Sequence, residues 1–307
     1  KQRIIKYFLT HRLAYLLKEK KVSPFHILAV TFTNKAAGEM AKRVATLLTE
    51  NRERKTEEDN KQQVILRPPS SVLRLPWLGT FHSVGVRILR RDGHHLGLNP
   101  NFTIYDRDDQ LALIRIIGQE LGLSSKQYTP QSIHSYISGA KNELITASGY
   151  ERFAHGYFQT IVTQVYKRYE TALQKAQAVD FDDLIVLPVK LFSDFADVLA
   201  RYQELWPYIM IDEYQDTNKA QYEFVRLLAA KNRNIFVVGD DSQSIYMFRG
   251  ANFRNILDFE KDYPDARVIK LERNYRSTQT ILDASNAVIA RNTQRGRKTL
   301  WTDKQSG

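Results

Sequence analysis

Two adjacent acids, Asp212 and Glu213, follow directly after an apolar run at Tyr208–Ile211. A short, uninterrupted apolar run predicts a strand that is buried on both faces of a parallel sheet. In open α/β sheets, ligands bind beyond the carboxyl ends of the strands. There, one carboxylate could help to hold Mg²⁺, and the other could orient and deprotonate the water that attacks a nucleoside triphosphate. The alternative is that both acids merely complement the dipole of a following helix.

A second group of polar residues follows the predicted strand Ile235–Val238, whose end is marked by Gly239 and Asp240. The neutral amide of Gln243, three residues further on, could sense a γ-phosphoryl group. The next residues combine aromatic rings with a cation: Tyr246, Phe248 and Arg249. Such a combination suits a platform for single-stranded nucleic acid, on which each stacked base contributes about 1–3 kcal/mol. Ordinary core packing is the alternative for the two rings.

Two strand-to-helix crossings carry further candidates for contacts with nucleic acid. At the first, Phe32 could stack on a base or fill the core, and Thr33 and Asn34 stand at a helix N-terminus, where backbone N–H groups suit phosphate. At the second, Thr80 and His82 are candidates for contacts with phosphate or sugar. A purely structural role is the alternative for the histidine.

A cluster of three acids occupies Asp180–Asp183. It could support a metal ion or hold a basic loop, although helix capping by Asp180 is the interpretation we favour.

A last strand, predicted at Val268–Leu271, is followed by Tyr275 and Arg276. The arginine is suited to stabilising charge on a transferring phosphoryl group, and the tyrosine offers a stacking face for a base. A surface salt bridge is the alternative for Arg276.

The elements that would position these residues alternate along the chain. Strand patterns at Phe25–Thr31, Trp77–His82 and the three positions above are each followed by polar residues and then by helical periodicity, which predicts a parallel α/β sheet. The stretch from about Val84 to Gln203 is largely helical and would be an insertion. Within it, Asp106 and Thr129 open helices, and Gly122 ends the first of them.

Other stretches are less informative. We expect Glu50–Gln63, a polar run of mixed charge, to be an exposed loop or a partly disordered insertion. Lys1–Phe8 allows no assignment on its own.

Composition sets the broad class. The 307 residues are 43% hydrophobic and 26% charged, which is typical of a globular protein of about two domains. There is no cysteine, no apolar stretch long enough to span a bilayer and no visible signal peptide, which agrees with a cytoplasmic location and no membrane partner. The formal net charge of +11 indicates a polyanionic partner.

Taken together and in order, six stretches resemble the motifs of the UvrD/Rep/PcrA family of superfamily 1 DNA helicases. They read TFTNKAAGEM, GTFHS, DFDDL, IDEYQDTNKAQY, VVGDDSQSIYMFRGA and LERNYRST. The resemblance runs from about Leu9 to Gly307. It implies a RecA-like motor domain at about 1–85 and 197–266, a helical subdomain inserted at about 86–196, and the start of a second RecA-like domain at about 267. It also implies ATP and Mg²⁺ as cofactors, single-stranded and 3′-tailed duplex DNA as partners, and contacts with repair or replication proteins.

The resemblance also assigns roles to single residues. Asp212 would be the Mg²⁺ carboxylate, Glu213 the catalytic base and Gln243 the γ-phosphate sensor. Arg276 would act across the cleft between the motor domains, and Asp240 would lie at the nucleotide. Adenine contacts would come from two residues: Tyr275 and Gln2. Single-strand contacts would come from the first aromatic crossing and the later platform: Phe32, Tyr246, Phe248 (where tryptophan is usual) and Arg249.

Two departures from the family pattern bear on function. No G-x-x-x-x-G-K-S/T occurs anywhere, so no loop of this kind cradles phosphates. Family spacing places roughly twenty more residues between Gln2 and Leu9, so either a mobile segment is missing from this sequence or the protein truly lacks the loop. The chain also stops before the later family motifs.

We therefore expect the N-terminal half of an ATP-dependent 3′-to-5′ DNA helicase or translocase. The alternatives are a hydrolysis-dead DNA-binding or scaffold protein without the phosphate loop, and the motor part of a helicase–nuclease.

Overall fold

The computed structural model describes residues 2–59, 76–244, 252, 254–291 and 298–304. The strands are β1 (Ile27–Thr31), β2 (Trp77–Thr80), β3 (Thr103–Ile104), β4 (Ala178–Val179), β5 (Tyr208–Ile211) and β6 (Ile235–Val237). The helices are α1 (Gln2–Lys18), α2 (Asn34–Asp59), α3 (Phe81–Asp92), α4 (Arg107–Glu120), α5 (Pro130–Asn142), α6 (Tyr157–Lys175), α7 (Asp183–Asp194), α8 (Ala196–Leu205), α9 (Lys219–Ala229), α10 (Arg254–Leu257), α11 (Phe259–Asp262) and α12 (Gln279–Ala290).

Four strands form one parallel sheet in the order β2-β1-β5-β6, which confirms the predicted α/β class. The chain runs outward from β1 to β2, returns to β5 on the other side of β1, and runs outward again to β6. The strand order therefore reverses between β1 and β5. In open α/β sheets a crevice at such a point is where ligands bind.

Both faces of the sheet are covered, which explains why its central strands are almost continuously apolar. Alternate residues of β1 and β5 point to opposite sides. On one face, Leu28 and Ile209 pack in a core with α3, α7, α8 and α9. On the other, Ala29 and Met210 pack against α1 and α2.

The helical segment between β2 and β5 has a core of its own, built mainly from α4, α5 and α6. α7 belongs instead to the core of the main sheet, where it packs against α3 and α9. The approach of α3 to α7 is close, because a Cβ at Gly85 would lie 1.7 Å from the carbonyl oxygen of Leu184. The domain boundaries given above remain predictions.

Local helix signals behave as the sequence indicates. Asp106 caps α4 through its side chain, and Thr129 caps α5 with Pro130 in its first turn. Gly122 follows the end of α4 with a φ of 67°, a left-handed conformation that favours glycine.

Two expectations need correction, and one stretch that the sequence left open receives an assignment. Glu50–Asp59 belongs to α2, because a helix that starts on a packed apolar face continues into its polar end; residues 60–63 lie outside the described ones. The Lys1–Phe8 stretch, left unassigned, lies largely within α1. No strand forms at Val268–Leu271, whose Ile269 is 64% exposed, because β-branched residues make a strand only where a neighbouring strand pairs with them.

The acid cluster at Asp180–Asp183 does more than cap a helix. Asp180 does accept a hydrogen bond from the Asp183 backbone, as a capping residue would. However, Asp180 and Asp183 also bind the buried Lys141, whose Nζ lies 2.8 and 2.7 Å from their carboxylates. Burial alone would lower the pKa of Lys141, but these acids and Glu170 raise it well above its usual value. The cluster therefore fastens α5 to the start of α7.

Candidate functional site

The predicted acid pair lies at the carboxyl end of β5, between the ends of two neighbouring strands. The backbone N–H of Asp212 donates to the carbonyl of Val30 in β1, and that of Tyr214 donates to the carbonyl of Val238 beyond β6, each over 3.0 Å. These bonds continue the parallel ladders past the strands. The position of Glu213 is therefore fixed from both sides.

The two acids differ in exposure and backbone shape. Asp212 is only 1% exposed, whereas Glu213 is partly exposed, so the pair does not face solvent equally as two rim acids would. Glu213 has φ 53° and ψ 43°, a left-handed conformation that is uncommon for residues other than glycine. Such backbone strain persists only where the surroundings hold it, and it concentrates at functional sites.

Gln215 joins the acid pair to the segment after β6. Its Nε2 donates to Oε2 of Glu213 at 3.1 Å and to Oδ2 of Asp216 at 3.2 Å. Its Oε1 accepts the backbone N–H of Asp240 at 2.9 Å. Gln243, the expected phosphate sensor, donates in turn to Oδ2 of Asp240. A continuous hydrogen-bonded path therefore connects Glu213 with Gln243.

This path depends on a close approach at Gly239. A Cβ there would lie 2.6 Å from Oε1 of Gln215 and 2.5 Å from Cδ1 of Ile256. Any larger residue would push the Gln215 amide away from its partners.

Asp216 shows that the site suits a cation. Its Oδ1 is buried and has no hydrogen-bond partner. Burial first, and then the negative charge of Glu213, raise the pKa of Asp216 to about 6, with the Gln215 hydrogen bond acting in the opposite direction. A divalent cation nearby would relieve both effects.

The donor set fits Mg²⁺ more closely than it fits a metal caged by protein alone. Within the described ranges, no three acid or histidine side chains converge as a complete metal site. Mg²⁺ usually keeps several waters and takes one or two carboxylates together with phosphate oxygens. Asp212 is the residue to which the family resemblance gives this role, and Asp216 adds a second carboxylate on the same loop.

A groove of about 870 Å³ opens along β6, at the edge of the described sheet. It reaches Gly239, Asp240 and Asp241, and ligand sites commonly have volumes of roughly 300–1,000 Å³. Lys298 reaches the same place, where its Nζ donates to Asp240 and, over 2.5 Å, to Asp241.

The first aromatic crossing lies one strand away from the acids. Phe32 is partly buried and meets Phe81 edge to face, with ring centroids 6.0 Å apart. Thr33 accepts the backbone N–H of Ala36, and the exposed Asn34 begins α2. Part of the Phe32 ring therefore packs in the core, and the rest of the ring is accessible to a ligand.

The second crossing is its neighbour, because Thr31 and Thr80 are paired residues of β1 and β2. Thr80 is buried and its side chain forms a capping box with Ser83 at the start of α3. His82 is partly buried, and burial lowers its pKa. Its ring lies 5.3 Å from that of Phe181, which is 50% exposed.

The remaining predicted residues fall further along. Tyr275 is 56% exposed, and the Arg273 guanidinium covers one face of its ring at 4.8 Å. Arg276 is exposed, and its backbone N–H donates to Asn274. Gln2 begins α1. Three residues of the expected platform lie outside the described residues: Tyr246, Phe248 and Arg249.

Two residues escaped the interpretation of the sequence. Gln215 lies two residues after Glu213 and directly before Asp216, and its amide offers the same chemistry as that of Gln243. Phe181 stands within the DFDDL stretch, but an aromatic between acids gives no sign of its exposure.

None of the helices in the described ranges is long and apolar enough to cross a membrane.

The sheet order, the helical insertion between β2 and β5 and the polar loops at one sheet edge define an α/β protein of the RecA-like class. The model of the UvrD/REP helicase N-terminal domain matches residues 7–264. The chain belongs to this UvrD/PcrA-type family of superfamily 1 helicases.

Curated relatives agree with this assignment. The chain is 49% identical over 299 residues to proteins named ATP-dependent DNA helicase PcrA from Leuconostoc citreum and Bacillus subtilis (strain 168). It is 48% identical to the protein of that name from Staphylococcus aureus (strain Mu50). In each case the match covers 97% of this chain but only 37–38% of the relative.

Proposed function

We propose that this chain is the N-terminal part of an ATP-dependent DNA helicase that moves 3′ to 5′ on single-stranded DNA. The observation that carries the proposal is the hydrogen-bonded path from Glu213 through Gln215 and Asp240 to Gln243. This path joins a candidate general base to a candidate phosphate sensor. The names of the relatives support both ATP and DNA as ligands.

In this proposal Glu213 orients and deprotonates the attacking water at the end of β5. Gln215 holds the Glu213 carboxylate in place through Oε2. The other carboxylate oxygen, Oε1, is then the one that faces the water. Gln243 contacts the γ-phosphoryl group. Because Gln243 donates to Asp240 and the backbone N–H of Asp240 donates to Gln215, a movement of Gln243 on that contact is transmitted to the Gln215 amide. Arg276 approaches the phosphates from the second motor domain when the cleft closes.

Asp212 and Asp216 are the side chains that would hold Mg²⁺. The ion, when bound with ATP, supplies positive charge to the phosphate oxygens. The chain's own part is to hold one buried carboxylate, Asp212, and one partly buried carboxylate, Asp216, whose pKa is raised as a result.

DNA would lie across the two neighbouring crossings that follow β1 and β2. Phe32 and the Phe181–His82 pair offer ring faces there, and the helix that begins at Asn34 offers backbone N–H groups to a phosphate. The net charge of +11 favours a polyanion in general. Tyr246, Phe248 and Arg249 complete this set as single-strand contacts, and 3′-tailed duplex is the expected substrate for unwinding.

A second candidate function rests on the sequence, which contains no G-x-x-x-x-G-K-S/T. A protein that truly lacks this loop would bind DNA as a scaffold without hydrolysing ATP. Sequencing of the intact protein that finds a G-x-x-x-x-G-K-S/T loop between Gln2 and Leu9 would exclude it.

The test uses the full-length protein and the substitution Glu213→Gln. We expect ATP hydrolysis in the presence of single-stranded DNA to fall by about a hundredfold or more, while DNA binding is retained. Glu151→Gln, at an exposed glutamate of the insertion, is the matched control and should keep wild-type turnover. Unchanged turnover in Glu213→Gln would show that the assignment of the base is wrong.

A further inference from the structure

Three amide and carboxylate side chains connect the helical insertion to the loop that carries the acid pair. We call Asp182, Asn142 and Asn218 the asparagine junction. Asn142, the last residue of α5, donates from Nδ2 to Oδ1 of Asp182 at 3.1 Å. Asn218 donates from Nδ2 to Oδ1 of Asn142.

The junction ends in a helix cap. Oδ1 of Asn218 accepts the backbone N–H of Gln221 at 2.9 Å, and the Gln221 side chain accepts the Asn218 backbone N–H at 3.1 Å. This capping box starts α9, only two residues after the turn Tyr214–Asp216. Asn218 is therefore the point where the acid-bearing loop becomes a rigid helix.

The direction of the bonds makes the junction a single unit. An ionised carboxylate can only accept, so the Asn142 amide must present its nitrogen to Asp182 and its oxygen to Asn218. Asn218 must then present its nitrogen to Asn142 and its oxygen to the helix. Turning either amide over breaks at least two bonds at once, so a shift at one end is opposed or passed on at the other.

The junction is held firmly at its insertion end. Lys141, next to Asn142, is buried and bound by Asp180 and Asp183, which flank Asp182 in sequence. Asn142 also donates to the carbonyl of Ser138 at 2.8 Å. The amide of Asn142 therefore has little freedom to move independently of α5 and the start of α7.

The other side of Asp182 carries an exposed ring. Phe181 precedes it directly, is half exposed, and lies against His82 in the first turn of α3. A base that stacks on Phe181 would shift or fix the backbone at Asp182. The path Phe181–Asp182–Asn142–Asn218 thus leads from a candidate DNA contact to the loop after Glu213.

We propose that Asn142 is a positioning residue that transmits DNA occupancy at the Phe181–His82 pair to the Glu213–Thr217 loop, and so regulates stimulation of ATP hydrolysis by DNA. The inference rests on the proposed function, because it concerns how two of its sites are coupled. Coupling of this kind is a free energy between sites and can be measured as a ratio.

The test compares full-length wild type with Asn142→Ala and Asn218→Ser. Serine caps a helix about as well as asparagine, so the second variant keeps the α9 cap and loses only the bond to Asn142. For both variants, kcat for ATP is measured with and without single-stranded DNA, together with the Kd for that DNA. We expect the ratio of the two kcat values to fall about tenfold, while kcat without DNA and the Kd change by less than about twofold.

A merely structural role would behave differently, because it would lower both kcat values together. The double variant should lose no more stimulation than either single variant, since all three break the same path. Asn101→Ala, at an exposed asparagine of the same insertion, should behave as wild type.

Wild-type stimulation ratios in both single variants would overturn the inference, and so would equal losses with and without DNA. A wild-type protein that hydrolyses no ATP with DNA present would instead overturn the proposed function. The two failures are therefore distinguishable, and Asn218→Ser keeps the test decisive if Asn142→Ala does not fold.

Discussion

Gln215 donates a hydrogen bond to Glu213 at 3.1 Å while its oxygen accepts the backbone N–H of Asp240 at 2.9 Å. The Gln215 side chain thus orients the candidate base, Glu213, and is also bound to the segment that carries the candidate phosphate sensor, Gln243. We expect Gln215→Ala to lower kcat for DNA-stimulated ATP hydrolysis by about ten- to a hundredfold, because Glu213 loses its orientation. Steady-state hydrolysis at saturating ATP measures this. Gln127→Ala, at an exposed glutamine, should leave kcat unchanged.

The space at Gly239 gives a second test of the same contact. A methyl group there would press against Gln215 and Ile256 at 2.6 and 2.5 Å. Gly239→Ala should therefore displace the Gln215 amide and lower kcat by about tenfold or more. In contrast, Gly118→Ala adds a methyl group to open space on α4 and should stabilise the protein by about 0.5–1 kcal/mol without changing kcat. Equal kcat in the two variants would argue against a role for the Gln215 position.

Ionisation of Asp216 should make the stability of the protein depend on pH. The pKa of Asp216 is raised from 3.8 to about 6, so the folded protein binds this proton more tightly than the unfolded chain does. The stability contributed by Asp216 is therefore complete below about pH 4 and lost as the pH rises through about 6.

Asp216→Asn replaces the carboxyl with an amide that does not ionise, so the variant does not lose stability as the pH rises through about 6. In the absence of nucleotide and Mg²⁺, we expect the variant to exceed wild type in the free energy of unfolding at pH 7.5 by about 1 kcal/mol, after allowance for solvent screening. The two proteins should not differ through this group near pH 4. Thermal unfolding midpoints across this range measure the effect, and parallel pH profiles would contradict it.

Phe181 should behave as a stacking residue. Its ring is half exposed beside His82, and removal of a base-stacking ring costs about 1–3 kcal/mol of binding free energy. We expect Phe181→Ala to weaken binding of labelled single-stranded DNA by that amount, with no change in the slope of affinity against salt, since no phosphate contact is removed. Phe153→Ala, at a ring 55% exposed elsewhere in the insertion, is the control. A changed salt slope with unchanged affinity would contradict a stacking role.

The sheet was predictable because its central strands are buried on both faces. Tyr208–Ile211 and Ile27–Thr31 form runs that carry their own signal, whichever strand pairs with them. Val268–Leu271 is also rich in apolar, β-branched residues and forms no strand. Apolar, β-branched residues indicate a strand only if a partner is present, and that condition is not visible in a short run of letters.

The site was predictable where chemistry and position coincide. Asp212 and Glu213 follow a buried strand directly, so their place at the sheet edge could be inferred from the sequence. Gln215 and Asn142 could not be identified this way, because their roles depend on partners 25 and 76 residues away. A single amide looks the same in sequence whether it faces solvent or joins two segments.

Lys141 provides the last test, because a buried cation between acids is far more sensitive to change than an exposed one. Its Nζ is bound by Asp180 and Asp183, and removal of the charge would leave two carboxylates buried without a counter-ion. We expect Lys141→Met to lower the free energy of unfolding by about 3–5 kcal/mol. Lys167→Met removes an exposed ion pair with Glu151 at 3.0 Å and should cost about 1 kcal/mol or less. Urea unfolding of both variants measures the difference, and similar losses would mean that the buried cluster contributes no more than a surface pair.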